Sequence, residues 1–161
     1  MSSLDLRAYN DWNGDPNDRK STTRWCIILS DLLISWKSKK QDVTSRSSEE
    51  AKYHAMALTT YKIIWLHWLL TDMGVYLKDP TPLHCDNRSV IHIARNFVFH
   101  ERTKHIETNY HFTCHYLQLD TISLPFGPSA LQIADIFTMS HFILHFRFLF
   151  DKLLIHLAVT L

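Results

Sequence analysis

Leu83-His84-Cys85-Asp86-Asn87-Arg88-Ser89-Val90-Ile91 is the stretch on which the reading of this chain turns. Leu83, His84 and Cys85 make a short strand behind the loop Asp79-Pro80-Thr81-Pro82, and from Asn87 to Arg95 the apolar residues Val90, Ile91 and Ala94 fall at helical spacing. A strand that runs straight into a helix leaves Asp86 at the turn between them. Two more acids are set in or beside apolar segments in the same way: Glu50 in Ser47-Ser48-Glu49-Glu50-Ala51 and Asp135 in Ala134-Asp135-Ile136-Phe137. Carboxylates are rarely buried without a partner, so three such placements in one small domain call for a shared counter-charge, most economically a divalent cation. The chemistry this suggests is metal-assisted phosphoryl transfer.

Working outward, the segment from Leu6 to Asp11 reads as a strand and Asn13-Gly14-Asp15-Pro16-Asn17-Asp18 as a loop. Arg24 to Leu29 and Leu32 to Lys37 read as a hairpin turning at Ser30-Asp31. From Ser48 to Met73 the residues Ala51, Ala55, Leu58, Tyr61, Trp65, Leu69 and Met73 recur every three or four positions, which predicts a long helix stopped by Gly74. Its Trp65, Trp68, Leu69 and Leu70 are expected to pack against the sheet. Thr103 to Leu117 predicts another helix, and Thr121 to Phe126 a half-exposed strand that Pro125 assigns to an edge. Gly127-Pro128-Ser129 then leads into a helix carrying Asp135. The order β-β-β-α-β-α-α-β-α implies an α/β fold, a mixed sheet flanked by helices.

A length of 161 residues, with 46% hydrophobic and 20% charged, suits one globular domain with a sizeable core. Cys26, Cys85 and Cys114 lie far apart with no Cys-x-x-Cys pair, which argues against a zinc ribbon and against any disulfide partner, and for a reducing compartment. The N-terminal residues contain no apolar run of signal-peptide length, so the expected setting is intracellular, cytoplasmic or nuclear, and not secreted. His145, Arg147, Asp151, Lys152 and His156 interrupt the apolar segment from Phe142 to Leu161, so no membrane partner is expected there. The expected organisation is a domain over 1–139 followed by an apolar C-terminal helix or tail over 140–161. A net charge of +1 excludes a generally basic nucleic-acid binder, so any electrostatic footprint must be local. Lys37, Lys39, Lys40 and Arg46, opposed by Asp42, form the one obvious basic patch, either a solvated turn or a grip on duplex phosphates.

Plainer roles compete for the same acids. Ser47-x-x-Glu50 is a capping box, in which Glu50 bonds back to the chain at Ser47 and needs no metal. Asp86 or Asn87 can simply cap the helix that follows. Asp135, with Ile133, Ala134, Ile136 and Phe137 around it, is harder to explain away, although a helix can turn one such residue to water. His111 and His115 stand four apart, near His100 and His105, but a zinc site also needs a third ligand and groups to orient the set.

With the acids placed, the chain resembles the ribonuclease H domain at the end of the polyprotein of copia-type retrotransposons, plant ones especially. The matching text is Gly14-Asp15-Pro16 with Arg19-Lys20-Ser21-Thr22, Leu33-Ile34-Ser35-Trp36-Lys37-Ser38-Lys39-Lys40-Gln41, Ser47-Ser48 with Glu50-Ala51 and Tyr53, and Cys85-Asp86-Asn87. It continues with Phe99-His100-Glu101-Arg102-Thr103-Lys104-His105-Ile106-Glu107 and Ala134-Asp135-Ile136-Phe137-Thr138, in the family's order over roughly residues 6–139. The resemblance implies a ribonuclease H-like mixed five-stranded sheet, three antiparallel strands followed by strands alternating with helices. It also implies acids that bind two Mg²⁺ ions, or Mn²⁺ in their place, and hydrolyse the RNA strand of an RNA–DNA hybrid. Glu50, Asp86 and Asp135 map onto the family's metal ligands and catalytic acids, with Asp11 as the fourth. Lys37, Lys39, Lys40, Arg46, Asn87, Arg102 and Lys104 become the groups expected to meet the hybrid. A reverse transcriptase domain, whose paired-aspartate motif this chain lacks, is the other implied partner.

The chain departs from the family at informative places. The family reads Tyr-Ser-Asp-Ala-Asp-Trp where this chain has Tyr9-Asn10-Asp11-Trp12. Counted back from the tryptophan, Asp11 falls one pleat repeat, about 6.6 Å, from the catalytic position unless the strand slides by two residues. Arg24 and Trp25 replace small residues, Lys52 replaces an acid, Phe97 a proline and Met139 a lysine. Two readings follow: an active hybrid ribonuclease, and a catalytically dead relic of the same fold that binds nucleic acid or has no activity.

Overall fold

Thr23-Arg24-Trp25-Cys26-Ile27-Ile28 is buried throughout, and its β-branched and aromatic residues favour an extended chain with neighbours on both faces. It forms the heart of β2 (Lys20–Leu29). The computed structural model describes residues 6–14, 17, 20–30, 32–44, 47–96 and 107–134, with 144, 147, 148 and 151; at 11–14, 43, 107, 108 and 130 it describes the backbone alone. β2 pairs antiparallel with β1 (Leu6–Gly14) on one side and β3 (Leu32–Thr44) on the other. β4 (Thr81–His84) adds parallel to β1, and β5 (Ile122–Ser123) parallel to β4. The mixed five-stranded sheet has the order β3-β2-β1-β4-β5.

Strand alternation divides the core. Leu6, Ala8, Trp25, Ile27, Leu83 and Cys85 join side chains from three helices: α1 (Ser48–Asp72), α2 (Arg88–Arg95) and α3 (Glu107–Gln118). Cys26 and Ile28 turn the other way, onto Ile133 and Ala134, with Tyr9 and Leu33 against them. Fully burying a side chain such as Ile27 is worth about 1.5–3 kcal/mol, so helices and sheet hold each other in place. Tyr61 of α1 stacks on Phe112 of α3 at 3.7 Å between centroids, tying the helices together on their outer side.

Several elements differ from their sequence reading. β1 runs on to Gly14 and β3 past Lys37 to Thr44, so Lys39 and Lys40 also stand on an edge strand, not in a turn. β4 begins at Thr81, taking in residues that read as loop. β5 is shorter than expected, and Phe126 meets Cys85 only through an isolated bridge. A 3-10 helix covers Ser129–Leu131. Gly74 does end α1: its φ of +79° is open to glycine at little cost, and its N–H bonds back to Thr71 O at 2.9 Å.

The lower half of α1 corrects a specific expectation. Trp65 is 49% exposed and Trp68 65% exposed, with Leu69 also exposed, and only Leu70 of that group packs inward. The helix is apolar nearly all round, and Met56, Thr59, Thr60, Ile63, Leu66 and Leu70 make the buried stripe in place of Tyr61, Trp65, Leu69 and Met73. No helix among the described residues is long and apolar enough to cross a membrane. Of the expected C-terminal segment only residues 144, 147, 148 and 151 are described, so its docking lies outside the described residues.

Candidate active site

Residues at the C-terminal end of β4 build the site. Ala8 pairs with Leu83 and Tyr9 with His84 across β1 and β4, and the Tyr9 ring stacks on His84 at 4.6 Å and 13°. Two residues beyond that pair come Asp11 on one segment and Asp86 on the other. The β1–β4 pairing stops at Tyr9 and His84, so Asp11 continues along β1 while Asp86 lies in the bend beyond β4. β1 itself continues past Asp11 and Trp12 to Gly14. Asp11 also stands opposite Arg24 in the β1–β2 ladder, and Arg24 is fully buried.

Asp86 is pinned from three directions. Cys85 N–H donates to Pro125 O and Gly127 N–H to Cys85 O, which fixes the backbone next to it. Ser129 Oγ donates to Asp86 Oδ2 at 2.8 Å, and Lys52 Nζ donates to Oδ1 at 3.2 Å. The pair is largely withdrawn from solvent, with 18% of the Lys52 side chain and 12% of the Asp86 side chain exposed. Asp86 is not the cap of α2. That role belongs to Asn87, whose Oδ1 accepts from Val90 N–H at 3.1 Å.

Glu50 is the third residue of α1, half-buried, and its N–H donates to Ser47 Oγ at 3.1 Å. Ser47 thus caps the helix. Residues two apart on an α-helix point about 200° away from each other, and on this helix it is Lys52 that brings a charged tip to Asp86. Asp135, Arg46, Arg102 and Lys104 lie outside the described residues, as does the side chain of Asp11. Lys37, Lys39 and Lys40 are exposed on β3, which β2 and β1 separate from β4 and its Asp86 junction. Among the described residues no three His, Cys, Asp or Glu side chains converge on one point. His111 and His115 line a cleft of about 420 Å³ with Tyr110, Cys114 and Gln118, which leaves them short of a zinc set.

The donors fit a hard cation. Carboxylate and carbonyl oxygens suit Mg²⁺, and Asp86 already attracts a cation in the form of the Lys52 ammonium. Asn10, next to Asp11 in β1 but on the opposite face by strand alternation, has a buried Oδ1 with no hydrogen-bond partner among the described residues. Neither Lys52 nor Ser129 stands out in the sequence as a partner of Asp86. Lys52 is marked there only by its unexpected sign, and Ser129 by nothing.

No protein-family model matches the chain. It is 38% identical over 139 residues to the retrovirus-related Pol polyprotein from transposon RE2 of Arabidopsis thaliana, covering 85% of this chain and 10% of the relative. The Pol polyprotein from transposon RE1 of the same plant matches at the same identity and coverage. That of transposon TNT 1-94 of Nicotiana tabacum is 38% identical over 109 residues, 66% of this chain and 8% of the relative. Among solved structures, LC11-RNase H1 in complex with an RNA/DNA hybrid superposes with a TM-score of 0.60 at 11% identity, covering 81% of this chain and 91% of the other. RNase H1 of Halobacterium salinarum gives 0.57 at 15% identity, covering 80% and 89%. The chain spans about a tenth of the length of the Arabidopsis polyproteins it matches. Its sequence and its sheet together make it a ribonuclease H-fold domain of the copia-type retrotransposon Pol polyprotein family.

Proposed function

We propose that this domain is a divalent-cation-dependent endoribonuclease that hydrolyses the RNA strand of an RNA–DNA hybrid. The observation that carries the reading is Asp86, a carboxylate sheltered at the β4–α2 junction of a ribonuclease H fold. Glu50, Asp86, Asp135 and Asp11 would hold the ions, and Mg²⁺ bound there would supply Lewis acidity toward the phosphodiester and its attacking water. The chain's own contribution is orientation. Ser129 fixes the Asp86 carboxylate through Oδ2, the Asn87 cap fixes the turn, and the Tyr9–His84 stack locks β1 against β4. Three buried free thiols support an intracellular setting. A reverse transcriptase domain elsewhere in a longer polyprotein is the proposed partner.

One observation favours a second reading, that of a hybrid-binding relic without activity: the Asp86 carboxylate is already paired with a lysine. A single assay separates the two. An end-labelled RNA–DNA hybrid is incubated with Mg²⁺ and either the natural chain or Asp86→Asn. Cleavage by the natural chain that drops by at least about a thousandfold in the variant is the expected outcome. Binding without product in both proteins would establish the relic, and equal cleavage by both would remove Asp86 from the chemistry.

A further inference from the structure

Lys52 stands 34 residues before Asp86 in the chain, yet its ammonium lies 3.2 Å from Asp86 Oδ1 in a setting where both side chains are mostly withdrawn from water. An ammonium there occupies one oxygen of a carboxylate that, on the proposed function, would serve a divalent ion. We propose that Lys52 is a tethered competitor for the divalent cation: it neutralises Asp86 in the ion-free domain and must leave Oδ1 before an ion binds. The inference rests on the reading of Asp86 as a metal ligand, and it adds a control on that ligand which the fold by itself does not require.

Three features make Lys52 suited to this role. Its charge sits on a flexible four-carbon stem, so the ammonium can swing to solvent without moving α1. Ser129 continues to donate to Oδ2 when the lysine departs, so the carboxylate keeps its direction. The pair joins residues 34 apart in the chain, so the fold alone holds the ammonium at the carboxylate. The pair is intermediate between an exposed ion pair, which contributes little, and a buried one, whose rupture leaves a costly lone charge. The result is a site that stays closed at low divalent-ion concentration and opens by exchange of one cation for another.

The test measures Mn²⁺ binding to the whole chain without nucleic acid, by the electron paramagnetic resonance signal of free Mn²⁺. Lys52→Gln, and Lys52→Met, which keeps the apolar stem, are expected to bind Mn²⁺ on the order of tenfold more tightly than the natural chain. Lys52→Arg, which keeps the charge, is expected to bind no more tightly than the natural chain. Asp86→Asn is expected to abolish the gain when combined with Lys52→Gln. In thermal unfolding, Mg²⁺ should raise the midpoint of Lys52→Gln and Lys52→Met more than that of the natural chain, since an ion that binds only the folded state stabilises it by mass action. Equal Mn²⁺ affinity in all Lys52 forms would overturn the competition and leave the ribonuclease reading standing. No Mn²⁺ binding by any form, with circular dichroism showing each one folded, would overturn both.

Discussion

Asp86 and Asn87 are neighbours with opposite duties. Asn87 gives its side-chain oxygen to the first turn of α2, while Asp86 keeps both oxygens for side chains brought from elsewhere in the fold. Removing an N-cap costs typically about 1 kcal/mol, so Asn87→Ala should lower stability by about that much in chemical denaturation, and Asn87→Ser, which can still cap, by only a few tenths. An equal loss in both would mean that the side chain contributes something other than the cap. Sequence alone placed an acid and a cap at this junction without saying which residue took which duty, because Asp and Asn both cap well. Lys52 and Ser129 were beyond its reach for a plainer reason: their contacts to Asp86 cross 34 and 43 residues of chain and exist only once α1 and the segment after β5 have docked.

At the scale of elements, α1 shows both what a periodic pattern reveals and what it hides. Its existence and its ends were legible, from Ser47 at the cap to Gly74 at the stop. Its buried side was not, since a helix apolar around most of its girth offers more than one stripe and only the sheet selects among them. The inward-facing His67 shows the selected packing at work, with its Nε2 2.8 Å from Thr81 Oγ1 at the start of β4. Burial disfavours the charged imidazolium and holds the His67 pKa below its ordinary 6.5. The folded state therefore binds fewer protons than the unfolded chain between the lowered value and 6.5. The stabilisation is complete above 6.5 and is lost as pH falls from there toward the native value. His67→Gln should flatten the pH dependence of stability over that window, by at most about 1.4 kcal/mol per pH unit, as read from urea unfolding at stepped pH. An unchanged slope would mean that His67 titrates alike in both states. β3 carries the complementary lesson: the polar residues after Lys37 admit a solvated turn, but an edge strand can carry that polarity too.

For the molecule as a whole, the order of elements predicted a mixed sheet flanked by helices, because their succession leaves few topologies, and the family resemblance of the short motifs supplied its five-stranded ribonuclease H-like form. On the proposed function, the path that a hybrid would take across that sheet is a separate question, and the lysines of β3 pose it most directly. Lys37 and Lys39 are exposed on the outermost strand, opposite Trp25 and Thr23 of β2. Charged residues on an edge have a purely protective use, since they discourage a second sheet from adding there. They also present positive charge along a line that phosphates could follow. The two uses leave different signatures in salt. Each phosphate neutralised by a lysine contributes about one unit to the slope of log affinity against log salt. Lys37→Ala with Lys39→Ala should therefore weaken hybrid binding and reduce that slope by about two, measured by fluorescence anisotropy over a salt series in the Asp86→Asn background to prevent cleavage. An unchanged slope, with the double variant aggregating more readily on concentration, would assign both lysines to guarding the edge and move the hybrid's track to another face of the sheet.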